Sequence, residues 1–291
     1  MKDLVNKKEI WTIKEVLMWT VEYLKRKGCE TPRLDAELLL AHALGIKRLG
    51  LYLDFDRPLT DAERLQYREF VRRRSLREPV ALITGKKEFW SLDITIRPGV
   101  LIPRPETEIL VEVVLDEFRT LHNCSILEVG CGSGAVICAI CREKPDIEVY
   151  ACDISFNALH NTLSNTSDKG LPDRVHLFGS DLLDSVRKGP VFDIIYSNPP
   201  YIPSGLICSL APEIFKFEPN CALDGGPDGL ETIRRLIQMS RDRLKPEGRL
   251  ILEIGDEQSE PVREIFELND FSQIQTYTDL SGKIRVVKAV L

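Results

Sequence analysis

From residue 106 onward, short apolar runs alternate with stretches of helical spacing: SILEVG, EVYACD, RVHLFG, VFDIIYSN and RLILEIG. Runs that are apolar on both faces need cover on both sides, so this alternation predicts an α/β fold with a mostly parallel sheet between two helical layers. Two further runs, FSQIQTYT and KIRVVKAVL, are separated by DLSG with no helix between them, which predicts an antiparallel hairpin at the sheet edge. The sheet should therefore have seven strands. A chain of 291 residues has room for this domain and a second one. No run approaches the roughly eighteen apolar residues of a membrane span, and the N-terminus MKDLVNKKEI lacks the apolar stretch and cleavage site of a signal peptide. Eight cysteines without framework spacing read as reduced thiols, so a cytoplasmic protein with no membrane partner is expected.

The N-terminal part follows a different rule. Capping boxes at Thr12-x-x-Glu15 and Thr60-x-x-Glu63, and Thr31 followed by Pro32, mark helix starts. Ile13, Val16, Leu17, Val21 and Leu24 recur at helical spacing before Gly28, and Leu34, Leu38 and Ala41 form a second stripe closed by Gly45. A third helix is expected from Asp61 to about Leu76. Residues 1–84 thus read as a small all-helical domain whose expected work is recognition of a partner, residues 85–105 as a β-hairpin linker punctuated by Gly85, Pro98, Gly99 and Pro103, and residues 106–291 as the catalytic domain. Residues 1–84 carry 17 Lys+Arg against 13 Asp+Glu, and the remainder 22 against 32. That acidic remainder argues against affinity resting on a nucleic-acid groove. The dense basic cluster Arg72, Arg73, Arg74 and Arg77 reads as a solvated helix end.

Chemistry concentrates in two turns. Gly130-Cys131-Gly132-Ser133-Gly134 ends one strand and opens a helix, and its glycines permit a tight turn and close approach of a nucleotide to the backbone. Asp153, at the end of the next strand, can accept hydrogen bonds from ribose hydroxyls of a nicotinamide dinucleotide or of S-adenosylmethionine; its alternative is to cap the following helix. Asn198-Pro199-Pro200-Tyr201 discriminates between the two cofactors. An Asn oxygen and a rigidly presented Pro carbonyl are two acceptors suited to a planar NH2 group, and Tyr201 offers an aromatic face. Such a grip orients a weakly nucleophilic nitrogen toward an electrophile, which a hydride-transfer enzyme does not require. Asp181 is placed to meet an adenine amino group, with Leu182 beside it to pack on the ring; the alternative is that both are ordinary loop residues. Residues 202–227 are too long for a simple connection and suggest a substrate loop before a helix starting near Asp228. Cys138-x-x-Cys141 lies inside an apolar helix, and His42, His122, His160 and His176 form no ligand spacing, so no metal is expected.

GCGSG, the acid of the second strand and NPPY together resemble S-adenosylmethionine-dependent methyltransferases that modify amide or exocyclic amino nitrogens. REPVALITG at residues 77–85, EFWSLDITIRPGVLIPRPETE at 88–108, and later EIG and DLSGKIRVV resemble the release factor glutamine methyltransferase family over nearly the whole chain. The resemblance implies a Rossmann-like methyltransferase sheet and methylation of the N5 amide of the glutamine in the GGQ motif of bacterial-type peptide chain release factors, leaving S-adenosylhomocysteine as product. It implies cofactor contacts at Gly130, Cys131, Gly132, Ser133, Gly134, Asp153, Leu182 and Asn198, to which Asp181 is added by its position after the third strand. Asn198, Pro199, Pro200 and Tyr201 would take the substrate, with Asn198, Pro199 and Tyr201 catalytic. The chain departs from the family's Asp-Leu-Gly-Thr-Gly at Glu128-Val129-Gly130-Cys131-Gly132, and has Leu182 where an aromatic is frequent. The competing expectation is a DNA or RNA amino-methyltransferase that flips a base into the NPPY pocket.

Overall fold

The computed structural model describes residues 10–121 and 124–291; the first nine residues and His122 lie outside the described residues. The chain folds as two compact units, Met1–Gly85 and Lys86–Leu291.

The first unit contains α1 (Ile13–Arg26), α2 (Pro32–Leu44), α3 (Arg48–Leu53), α4 (Asp61–Ser75) and α5 (Val80–Thr84). Both expected capping boxes form, each Thr side chain taking the third backbone N–H and each Glu returning to the cap. Ile13, Leu17 and Leu24 of α1 pack with Leu39 and Leu40 of α2 and with Tyr67 and Val71 of α4. The short helices α3 and α5 are additions to the sequence reading, since six and five residues are too few to show helical periodicity. The basic cluster does end α4 with Arg72 exposed, as a solvated helix end would, but Arg74 departs from that expectation by being buried. Arg74 pairs with Asp35 at 2.7 Å, both buried, Arg72 with Glu69 and Arg73 with Glu78, while Arg77 Nη1 donates to the Gly28 carbonyl at 2.8 Å.

The second unit opens with an antiparallel hairpin, β1 (Lys86–Phe89) and β2 (Leu92–Thr95). It is fastened to its own unit and is not a free linker: the Thr95 and Arg97 N–H groups donate to Asn165 and Asn161, at 2.9 and 3.0 Å. Then follow α6 (Glu108–Glu117), β3 (Ile126–Val129), α7 (Ala135–Glu143), β4 (Val149–Asp153), α8 (Phe156–Asp168), β5 (Val175–Gly179) and β6 (Phe192–Ser197). The chain continues through α9 (Pro212–Phe215), α10 (Glu231–Arg241), β7 (Leu244–Glu253), α11 (Ser259–Leu268), β8 (Ser272–Thr278) and β9 (Ile284–Val290). The seven strands lie in the order β5-β4-β3-β6-β7-β9-β8. The first five are mutually parallel, and the closing hairpin is antiparallel, with β9 beside β7 and β8 at the edge. Ile233, Leu236 and Ile237 of α10, and Val262 and Phe266 of α11, cover one face of this sheet. No helix among the described residues is long and apolar enough to cross a membrane.

This order decides where a ligand can sit. From β3 the chain winds outward through β4 and β5, then returns to β6 on the other side of β3, so the strand order reverses between β3 and its two neighbours. The crevice outside the carboxyl ends of such strands is where open α/β sheets bind ligands. Register makes the point residue by residue: Val129 lies opposite both Cys152 and Ser197, so the next residues, Gly130, Asp153 and Asn198, emerge side by side.

Candidate active site at the sheet switch point

A cavity of about 340 Å³ opens at this point, lined among others by Gly130, Gly132, Asp153, Asp181, Leu182, Asn198, Pro199 and Pro200. Of the residues named from sequence, those eight meet at the cavity. Cys131, Ser133, Gly134 and Tyr201 do not line it, each for a physical reason.

The glycine turn is anchored from behind. Gly130 and Cys131 both donate their N–H to the Cys152 carbonyl, at 2.8 and 3.1 Å. Cys131 is buried beside Thr162 Oγ1 at 3.4 Å, and burial pushes its thiol well above the ordinary range. The Ser133 carbonyl accepts from Asn161 and Asn165 at 3.3 and 2.9 Å. Gly134 has φ of +76°, and a Cβ there would come within 2.8 Å of the Thr162 methyl. These three residues therefore set the shape of the turn and leave its inner edge to Gly130 and Gly132. Asn161 and Asn165, one turn apart on α8 and fully buried, also donate to the Thr95 carbonyl, so the hairpin and the glycine turn share one support. Local sequence carries no sign of this, because Asn at i and i+4 on a helix normally marks a solvated face.

Asp153 is buried, and its two oxygens accept the N–H groups of Gly132 at 2.9 Å and Ser155 at 2.8 Å. The cap of α8 is Ser155, so the capping alternative for Asp153 does not apply. Burial raises its pKa against the opposing pull of these amides. Each carboxylate oxygen keeps a further lone pair for a ligand hydroxyl. Glu128, the departure from the family pattern, points away into the core, where the Tyr196 hydroxyl meets it at 3.2 Å and burial lifts its pKa well above the usual carboxylate range. At the cavity mouth Asp181 is paired with Arg235 at 3.0 Å. Leu182 adopts φ of +47°, an expensive conformation for a bulky residue.

Asn198 donates an Nδ2 hydrogen to Thr107 Oγ1 at 3.2 Å, which leaves its Oδ1 as the free acceptor. Tyr201 departs from the expectation of an open aromatic face. Its ring packs on the hydrophobic cluster under the sheet edge, and its hydroxyl donates to Glu253 Oε1 at 3.4 Å. The cause is visible in the loop that follows. Gly225 and Gly229 press against this segment so closely that a Cβ on the first would meet the Pro200 carbonyl at 2.8 Å and a Cβ on the second would clash with the Tyr201 carbonyl. Gln258 Nε2 ties the Tyr201 and Gly229 carbonyls together at 3.0 and 3.2 Å. With Gly229 held at φ of +77°, the next helix begins at Glu231 and not near Asp228. The long loop supplies Pro219, Cys221, Ala222 and Asp224 to the cavity wall and borders a second hollow of about 420 Å³.

Cys138 and Cys141 are buried in α7, their thiols pushed up to about 12 and about 11 by desolvation. Among the described residues no group of three His, Cys, Asp or Glu could hold a metal ion.

Residues 15–85 match the family profile of the PrmC N-terminal domain, and residues 104–221 that of the methyltransferase small domain. The release factor glutamine methyltransferase of Rhodopirellula baltica is 40% identical over 282 residues, covering 95% of both chains; that of Geobacter sulfurreducens is 41% identical over 284 residues, covering 98% of both. A methyltransferase structure from Pyrococcus furiosus superposes with a TM-score of 0.51 at 19% identity, over 68% of this chain and 88% of that one. A Thermus thermophilus 16S rRNA N2 G1207 methyltransferase, in complex with AdoMet and guanosine, gives 0.52 at 18% identity, over 70% and 49%. The two structures establish the fold, while similarity at 40% and above over the whole length goes further: this chain belongs to the release factor glutamine methyltransferase family.

Proposed function

We propose that this protein transfers a methyl group from S-adenosylmethionine to the N5 amide nitrogen of the glutamine in the GGQ motif of bacterial-type peptide chain release factors, and that it does so in the cytoplasm. The observation that carries this reading is the register that puts Asn198-Pro199-Pro200 against the glycine turn and Asp153 in one cavity, in a chain whose relatives bear that name along their full length.

The donor set suits S-adenosylmethionine. A buried carboxylate with spare lone pairs at the end of β4 is placed for ribose hydroxyls, the edge of the Gly130–Gly132 turn admits close approach, and the cavity volume falls in the range of small-molecule sites. Asp153 would hold the ribose, Leu182 and Asp181 the adenine side. When bound, the cofactor supplies an electrophilic sulfonium methyl. Asn198 Oδ1 would accept one N–H of the glutamine amide and a proline carbonyl of the same turn the other, which would orient the nitrogen for methylation, with one of these N–H protons given up as the N–C bond forms. An amide nitrogen is a poor nucleophile because its lone pair is delocalised, so acceptors that draw on both N–H bonds favour the polarised or twisted amide that appears near the transition state. Pro219, Cys221, Ala222 and Asp224 form the cavity wall beside this contact.

Methyl transfer from labelled S-adenosylmethionine to a purified release factor and to duplex DNA is the direct test. Label on the GGQ glutamine supports the reading; label on adenine and none on protein replaces it with base methylation. Asp153→Ala should weaken S-adenosylmethionine binding by roughly tenfold to a hundredfold, the loss expected for charge-assisted hydrogen bonds of about 1.5–3 kcal/mol. Unchanged affinity by calorimetry would leave Asp153 as a brace for the Gly132 turn alone.

A further inference from the structure

Beneath Asn198 lies a polar pair that the mechanism above does not use. Thr107 closes the short 3-10 turn Pro105–Thr107, and Glu253 ends β7; both are buried. We propose that Thr107 and Glu253 are positioning residues that fix which way the Asn198 side chain faces, so that its oxygen and not its nitrogen meets the substrate amide. This rests on the proposed methyl transfer to a glutamine amide.

Thr107 Oγ1 accepts from Asn198 Nδ2 at 3.2 Å, so the single hydroxyl proton must turn elsewhere. The acceptor open to it is the Glu253 carboxyl, whose Oε1 takes the Tyr201 hydroxyl at 3.4 Å and whose buried Oε2 has no hydrogen-bond partner among the described residues. Were that proton turned to Asn198, the amide would flip and present NH2 to the cavity. The substrate glutamine also presents NH2, and donor would face donor. An acceptor buried at Glu253 is what keeps the chain of donors pointing outward from substrate to carboxyl.

The groups facing Glu253 are Tyr201 from the turn after β6, Arg285 from β9, and Glu106 and Thr107 from the 3-10 turn. Burial lifts Glu253 to about 7; Thr107, Arg285 and Tyr201 pull it down and Glu106 adds to the rise. As pH falls through about 7 the carboxyl takes up a proton and becomes a donor that competes for Thr107 Oγ1, so the methyl-transfer rate should fall with it.

The experiment is single-turnover transfer from labelled S-adenosylmethionine to an intact release factor, with cofactor affinity measured separately. Thr107→Val should slow transfer by about tenfold, the scale of one lost oriented hydrogen bond, with cofactor affinity within about twofold. Thr107→Ser, which keeps the hydroxyl, should stay within about threefold of the parent protein. Glu253→Gln should flatten the rise in rate around pH 7. Valine at the parental rate, or valine and serine equally slow, overturns the proposal; the two Thr107 variants decide it even where Glu253→Gln does not fold. Absence of transfer by the parent protein instead overturns the functional reading beneath it.

Discussion

Asn198→Ala lowers the single-turnover rate of methyl transfer to an intact release factor by about a hundredfold or more at saturating S-adenosylmethionine, the scale of losing one oriented hydrogen-bonding group at a reacting centre. The structure makes this a clean deletion. Asn198 follows β6 on the cavity rim, its nitrogen committed to Thr107 and its oxygen left as acceptor. Removing it takes away no core packing, since the strand beneath ends at the buried Ser197, whose hydroxyl is bonded to the Val129 carbonyl at 2.6 Å and holds the strand end in place. Release factor affinity should change little, because one amide contributes little surface to a protein interface. Cofactor affinity, measured by calorimetry, should fall less than the rate does, because the contact matters most where the amide is polarised. A normal single-turnover rate in Asn198→Ala would reduce the NPPY segment to a structural turn and remove the mechanism.

The parts of this site that are legible in the sequence are those whose meaning is local. Five strand runs can be read because strands covered on both faces must be apolar throughout, and the turns after β3 and β6 can be read because glycine and proline act on their own backbone. That these turns are neighbours follows from the strand order, which the structure shows and the alternation of runs alone does not give. What cannot be read depends on partners far along the chain. Asn161 and Asn165 look like a polar helix face until the Thr95 and Ser133 carbonyls are seen to meet them. Thr107 and Glu253 are separated from Asn198 by 91 and 55 positions, and neither residue type signals a buried acceptor by itself. Gln258, which ties the Tyr201 carbonyl to that of Gly229, sits in a segment with no motif. Tyr201 departs from its expected open face for the same reason: its immediate neighbours suggest exposure to a ligand, whereas Glu253 and the Gly225–Gly229 loop hold it inward. EIG carries part of the family resemblance, yet nothing in those three residues assigns a task to Glu253.

Removal of residues 1–85 should abolish methylation of an intact release factor while leaving S-adenosylmethionine affinity unchanged. The first unit has a core of its own, built from α1, α2 and α4 around the buried Arg74–Asp35 pair. Every residue lining the candidate cavity lies between Gly99 and Arg235, in the second unit. Cofactor binding thus needs nothing from the first unit, and retained binding by calorimetry reports that the truncated protein is folded. Selection of one glutamine among many is a separate requirement. Stable, specific recognition between proteins takes on the order of 800 Å² from each partner, far more than one side chain entering a cavity of about 340 Å³ can supply. Surface outside the cavity must provide the rest, and the helical unit, which contributes no residue to that cavity, is proposed to supply it. A free peptide containing GGQ gives the internal comparison, because it cannot use that surface: full-length and truncated proteins should methylate it equally slowly, and only the full-length protein should gain when the peptide is replaced by the folded factor. If the truncated protein methylates the folded factor at the full-length rate, recognition lies in the catalytic unit, and the loop of residues 202–230 becomes the surface that selects the substrate.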